Sequence, residues 1–330
     1  MRVALDAMGG DKAPAEIVKG ALQAVNLYPE IEKIFLVGKE EEIKKYLNGN
    51  AEKIEIIDAR EVIEMDDHPA LAYRKKKDAS MTVATRLVKE GRADAIISAG
   101  NTGGQLTSSL FVLGRIKGIS RPAIATPLPA MKGITLLLDS GANADCTVEN
   151  LQQFALMGSI YAKKVLKKDN PKVSLVNIGS ERTKGNELSI KAYEELEKMD
   201  NINFTGNIEG REIPQGKADV IVADGFVGNV VLKLIEGMGK TFVSIIKEEV
   251  SKSFISKLGA FLMKDALLGL KKKMDYAEIG GAPLLGVDGI SIICHGSSDS
   301  KAIHNAIRVA IECKKEDYVQ EIKNNLWGEM

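Results

Sequence analysis

Five short stretches combine glycine with small polar or charged residues in a pattern suited to holding an anion. They are "DAMGGDKAP" (6–14), "SAGNTGGQL" (98–106), "NIGSERTKGNEL" (177–188), "ADGFVGNVVLK" (223–233) and "CHGSSDSKA" (294–302). Glycine lets a backbone approach an anion closely, and the first turn of a following helix presents unpaired N–H groups with positive partial charge. Asn, Ser or Lys can complete such a cradle. The candidates for a phosphate or carboxylate are Gly100, Asn101, Thr102, Gly103 and Gly104, with Ser180 in the third stretch. Lys184 is the candidate fixed cation. Asp224 is placed to orient a polar group or hold a lysine, and Asn229 lies one turn beyond it. Each has a plainer reading as well: turns and helix caps for the glycine stretches, a solvated loop residue for Lys184, an N-cap for Asp224.

These turns need a scaffold, and the rest of the chain supplies one. Short apolar runs alternate with helical patterns. "RVALDA" (2–7), "KIFLVG" (33–38), "KIEIID" (53–58), "DAIISA" (94–99), "KVSLVNIG" (172–179), "ADVIVADG" (218–225) and "GISIICHG" (289–296) read as strands. Helices are expected from Pro14 to about Asn26, over "KEEEIKKYL" (39–47), and near 80–90, 103 onward, 148–167, 186–198, 227–250 and 300–324. The stretch 59–78 reads as polar and irregular. "AIATPLPAMKGITLLLD" (123–139) reads as two antiparallel neighbours, so a mixed, largely parallel sheet is expected. Each of the five turns then lies at the end of an expected strand, at the carboxyl ends where open α/β sheets bind ligands.

Several chemistries are not signalled. No GxGxxG follows a strand, and "GMGKT" (237–241) fails as a phosphate loop because Leu234 stands where its first glycine should be. There is no GxSxG or HExxH. His68, His295 and His304 are far apart in sequence. Cys146 in "GANADCTVEN" could accept an acyl group, although a cysteine at a helix start is more often a packed residue. Equal numbers of acidic and basic residues, 45 each, argue against nucleic acid, which demands a basic surface. Three widely spaced cysteines form no zinc pattern and suit a reducing compartment. The first residues lack the basic and apolar regions of a signal peptide, and a cytoplasmic location is expected.

Two further features invite partners. Arg74, Lys75, Lys76 and Lys77 are consecutive; such a run is either a solvated face or a docking patch for an acidic partner. Residues 251–276, "SKSFISKLGAFLMKDALLGLKKKMDY", combine an apolar cluster that includes Leu258, Phe261 and Leu262 with six lysines opposed by Asp265 and Asp275. A hairpin of two helices with an apolar tip and a basic collar would suit an anionic membrane surface; burial against the core or a second subunit would suit the apolar residues equally.

The motifs together resemble a known family. "DAMGGD", "DHPALAYRKKKDASM", "ADAIISAGNTGG", "RPAIATPLP", "DSGAN", "SERTKGNE", "ADGFVGNVVLK" and "CHGSS" follow in the order of the bacterial phosphate acyltransferases of phospholipid synthesis. The resemblance covers nearly the whole chain. Ala79 stands where that family usually has serine, and Gly104 where it usually has alanine. The resemblance implies reversible transfer of a long-chain fatty acyl group from acyl carrier protein to inorganic phosphate. The acyl phosphate would feed a membrane glycerol-phosphate acyltransferase. It implies a three-layer α/β/α fold like that of isocitrate and isopropylmalate dehydrogenases, one unit of two intertwined subdomains over 1–330 with a protruding amphipathic hairpin at 251–276. It also implies a homodimer, no metal and no cofactor. On this reading the 100–104 turn, Ser180 and Lys184 hold phosphate near Asn229, Asp224 orients phosphate or Lys184, the basic run receives the carrier protein, and the hairpin makes the protein peripheral to the membrane. The rivals are a phosphate acetyltransferase acting on acetyl-coenzyme A and a non-catalytic lipid- or membrane-binding protein.

Overall fold

The runs of branched apolar residues become strands buried on both faces. A computed structural model describes residues 1–48, 51–274 and 276–326 of the chain. Its strands are β1 (Arg2–Asp6), β2 (Lys33–Gly38), β3 (Ile54–Asp58), β4 (Ala95–Ser98) and β5 (Ala123–Ile124). Then come β6 (Thr126–Ala130), β7 (Gly133–Leu138), β8 (Lys172–Asn177), β9 (Asn203–Glu209) and β10 (Val220–Val222). The last two are β11 (Ala282–Leu285) and β12 (Ile290–Ile293). They divide between two sheets, ordered β3-β2-β1-β4-β12-β11-β5 and β6-β7-β10-β8-β9. Most neighbours are parallel; β11 runs antiparallel to β12 and β5, and β6 to β7. The antiparallel pair expected over 123–139 is β6 with β7, Thr126 opposite Leu137.

Alternation along each strand builds the layers, because successive side chains leave a strand on opposite faces. Val3 and Leu5 of β1 join a core with Ile17 and Ile303, while Ala4 between them joins Ala84 and Leu87 on the other side. In the second sheet Val220 and Val222 pack with Phe154, and Ile221 faces Ile208 and Ile213. Helices therefore cover both faces of each sheet, the three-layer α/β/α arrangement expected.

The structure departs locally from expectation at five places. The stretch 59–78 contains the helix Pro69–Lys75, opened by proline in its first turn but too short to show a period. β9 is a half-buried strand at a sheet edge with a polar sequence, and β11 is apolar and buried but only four residues long, with Pro283 inside it to argue against a strand. The closing helix is two, Ser300–Glu316 and Tyr318–Asn325, broken at Asp317, whose φ is 44°. The helix Thr102–Ser108 continues as a π-helical turn, Ser109–Leu113.

A long helix, Gly225–Ser251, packs Val231, Leu232 and Ile235 against the second sheet. Past Gly237, Met238, Phe242, Ile245 and Ile246 are exposed. It leads to the helices Phe254–Leu262 and Lys264–Met274, the first of which buries no residue. Asp275 lies outside the described residues. None of the described helices is long and apolar enough to cross a membrane.

Candidate active site

The two sheets meet where β5 passes into β6 through the single residue Ala125. A buried carboxylate fastens this junction. Asp139, just past β7, accepts hydrogen bonds from the N–H groups of Ile124 (3.0 Å), Gly141 (3.2 Å), Ala142 (3.1 Å) and Asn143 (2.7 Å), and from Asn143 Nδ2 (3.0 Å). Burial raises its pKa, and these donors pull it back down. Ser140 N donates to Ile124 O (3.1 Å), and the Ser140 and Thr126 hydroxyls are 2.6 Å apart. The 139–143 turn is thus a rigid wall at the seam.

The long helix enters against that wall at very close range. Gly225 N donates to Asn143 O (2.7 Å), and a Cβ on Gly225 would sit 2.5 Å from the same oxygen. A Cβ on Gly228 would lie 1.8 Å from Asp139 O, so only glycine fits there. Asp224 is the N-cap of this helix and accepts from Val227 N (2.9 Å). The consequence is that Asn229 projects beside Gly141, with its side-chain atoms 3.6 Å from where a Gly141 Cβ would be.

Opposite stands the turn after β4. Its support is Asp6, fully buried, which accepts from Ser80 Oγ (2.6 Å), Ser98 Oγ (2.6 Å) and Met8 N (3.2 Å). Burial raises the Asp6 pKa too, against the pull of these donors. Ser98 Oγ in turn accepts from Gly100 N (3.0 Å). Asn101 caps the Thr102 helix, accepting from Gly104 N (2.8 Å), and its Nδ2 contacts the carbonyls of Glu64, Met65 and Asp67. Gly103 abuts Pro69, and Gly104 abuts Ile63 and Met81. The amides of Gly100 and Gly104 and the side chain of Asn101 are therefore committed within the protein.

Between the two walls lies a cavity of about 360 Å³. Thr102, Ser140, Asn229, Lys233, Glu236 and His295 give it polar groups; Ile124, Pro127, Leu232, Ile279 and Ile293 line it with hydrocarbon. Gly100 borders a second cavity of about 330 Å³ with Met8, Gly10 and residues 62–66. Of the five turn residues, Thr102 alone lines the larger cavity. A pocket joining a polar side to an apolar one at the carboxyl ends of strands can seat a small polar group next to a chain of methylenes.

Other sequence candidates fall elsewhere. Lys184 and Ser180 are exposed on the loop after β8, next to β10 in the same sheet but outside the cavity lining. Lys76 is engaged by Asp67 Oδ2 (2.5 Å) and Val62 O (2.7 Å), which leaves Arg74, Lys75 and Lys77 of the basic run at the surface. Lys77 Nζ stands 5.0 Å from the centre of the Tyr73 ring, which stacks on exposed Phe111. Leu258, Phe261 and Leu262 are exposed. Burial pushes the Cys146 thiol up to about 11, so it is protonated at neutral pH, and it does not line the cavity; it is not a poised nucleophile. Ser297 Oγ is 2.9 Å from His295 Nδ1. Among the described residues no group of three His, Cys, Asp or Glu is placed to hold a metal ion.

Lys233, Glu236 and the 279–282 wall were not singled out from sequence. Lys233 ends the quoted "ADGFVGNVVLK" stretch, but nothing in a helical pattern says which face will meet a cavity. The 279–282 wall runs into β11, whose Pro283 reads against a strand.

Residues 1–321 match the family model described as "Fatty acid synthesis protein". The chain is 57% identical, over 99% of its own length and 98% of the relative's, to a phosphate acyltransferase of Desulfitobacterium hafniense (strain DSM 10664 / DCB-2). Among solved structures it resembles a phosphotransacetylase from Streptococcus pyogenes, with a TM-score of 0.62 and 16% identity over 96% of this chain and 94% of that one. It also resembles a 4-hydroxythreonine-4-phosphate dehydrogenase from Klebsiella pneumoniae, with a TM-score of 0.54 and 14% identity over 95% of this chain and 99% of the other. At those identities the likeness speaks for the fold alone.

Proposed function

The chain belongs to the fatty acid synthesis protein family and acts as a phosphate acyltransferase, and from that premise we propose that it moves a long-chain fatty acyl group reversibly from acyl carrier protein to inorganic phosphate. The acyl phosphate serves phospholipid synthesis. The observation that carries this reading is the cavity at the seam, where Thr102, Ser140 and Asn229 face a hydrocarbon side.

The reaction asks little covalent help of the protein. A phosphate oxygen attacks the thioester carbonyl, and the carbon–sulfur bond breaks as the tetrahedral intermediate collapses. A thiol of pKa ~8.5 leaves far more readily than an alkoxide, so no strong general acid is required. Holding phosphate against the carbonyl can supply on the order of 7–11 kcal/mol of the barrier. Each fixed donor to the oxyanion is worth roughly 2.7–4 kcal/mol. Thr102 and the Asn229 amide are donors of that kind, whereas the Ser140 hydroxyl gives its proton to Ile124 O (3.2 Å). Lys184 and Asp224, at the carboxyl ends of the adjacent strands β8 and β10, complete the rim that receives phosphate. Incubation with palmitoyl carrier protein and phosphate gives a hydroxylamine-trappable product, and Lys184→Ala lowers its rate by at least about tenfold. Parent turnover in that variant removes Lys184 from the site; turnover with acetyl-coenzyme A but not with palmitoyl carrier protein favours an acetyltransferase.

The surfaces support three associations of the enzyme, which we place in the cytoplasm. Arg74, Lys75 and Lys77 receive the acidic carrier protein. Val230, Leu234, Met238 and Phe242 recur every four residues on the long helix and are exposed, a stripe suited to a second copy in a homodimer. The exposed Phe254, Ile255, Leu258, Phe261 and Leu262 suit insertion at an anionic membrane surface, where a membrane glycerol-phosphate acyltransferase takes the product. Leu258→Asp with Phe261→Asp releases the protein from vesicles containing phosphatidylglycerol while leaving transfer in solution intact; unchanged sedimentation with the vesicles contradicts the hairpin's role.

A further inference from the structure

We propose that Lys233 is the cation that holds inorganic phosphate inside the cavity, and that Glu236 keeps it there between turnovers. The proposal rests on the phosphate-transfer reading and adds, to Lys184 on the rim, a cation that lines the cavity itself. Asn229, Leu232, Lys233 and Glu236 line the cavity together, at the i, i+3, i+4 and i+7 positions that share one helix face. Among the described lining residues Lys233 is the only lysine or arginine, and Glu236 the only carboxylate. Lys233 Nζ lies 2.9 Å from Glu236 Oε2.

An anion entering the cavity meets Lys233 paired with a neighbour on its own helix. Its side chain is 56% exposed and that of Glu236 is 26% exposed. Ion pairs this open to water contribute little, so phosphate can take Glu236's place at small cost. The lysine's point charge then bonds a phosphate oxygen, while Asn229, one turn toward the helix start, stands ready for a second donor contact. In the empty site Glu236 stops the lysine from extending into solvent. In the occupied site its charge opposes phosphate, which helps the acyl phosphate to leave.

Titration calorimetry with orthophosphate alone, together with KM measurements on palmitoyl carrier protein, tests this. Lys233→Ala weakens phosphate binding and raises the KM for phosphate at least tenfold, with the KM for the thioester within twofold of the parent. Lys233→Arg restores most of the binding. Glu236→Gln tightens phosphate binding about two- to threefold by removing the competing charge. Parent phosphate affinity in Lys233→Ala overturns the proposal, as does an equal rise in both KM values. A parent enzyme that binds phosphate through Lys233 yet makes no acyl phosphate overturns the transfer reading and leaves the anion site standing.

Discussion

An Asn229→Asp enzyme folds as the parent does and loses acyl transfer by about 10²–10³-fold, the loss expected when one donor to a developing oxyanion is removed. The side chain is exposed to the cavity, so the substitution breaks no core contact. A carboxylate at 229 also stands four residues before Lys233 on the same helix face, an i, i+4 acid–base spacing that favours the helix, so the melting temperature stays within a few degrees of the parent's. The chemistry suffers twice. The amide N–H is lost, and a negative charge replaces it where phosphate must sit. Steady-state kinetics and thermal denaturation together check this, since a misfolded variant would lose both. A stable Asn229→Asp variant with parent kcat/KM would take the seam cavity out of the reaction.

Gly228→Ala is expected to damage both fold and function. The added Cβ would lie 1.8 Å from Asp139 O and 3.4 Å from Ser140 Cα. A Cβ has no rotamer by which to escape, and its main obstacle is backbone held by the five donors around Asp139. The helix must therefore back away by more than 1 Å, against the Gly225–Asn143 hydrogen bond. Overpacking of this severity costs about 3 kcal/mol or more. A displacement of about 1 Å at Asn229 costs on the order of 10²-fold in turnover. Gly237→Ala, farther along the same helix, is the control. Nothing lies within 4 Å of its Cβ, and the substitution gains up to ~1 kcal/mol of helix propensity. Urea midpoints should fall for Gly228→Ala and hold or rise for Gly237→Ala; parent-like stability and rate in Gly228→Ala would mean that the helix is not clamped to the wall.

The scaffold was legible because buried parallel strands leave an unmistakable trace. β1, β4, β10 and β12 are short apolar runs with polar borders, and each lies within the range read from sequence. β9 escaped because an edge strand can be polar, and β11 because Pro283 in a run of only four apolar residues reads against a strand. The glycine turns were visible as turns. What the sequence withholds is how each polar group is spent. Asn101 and Asp224 share residue types with ligand-binding positions, yet both cap helices. Lys76 belongs to a basic run, yet its charge is held by Asp67. Lys233 sits inside a helix whose cavity-facing side exists only once the two sheets have been brought together at Asp139. Local sequence specifies turns and periods; the partners that free or occupy a side chain come from segments up to hundreds of residues away.

The most direct measurement is a crystal of the protein soaked in orthophosphate. Phosphate density is expected at the seam, within hydrogen-bonding distance of Asn229 and Lys233 and close to Thr102, with Glu236 no longer paired to the lysine. Phosphate bound elsewhere, with the seam cavity vacant at saturating concentration, would contradict that expectation.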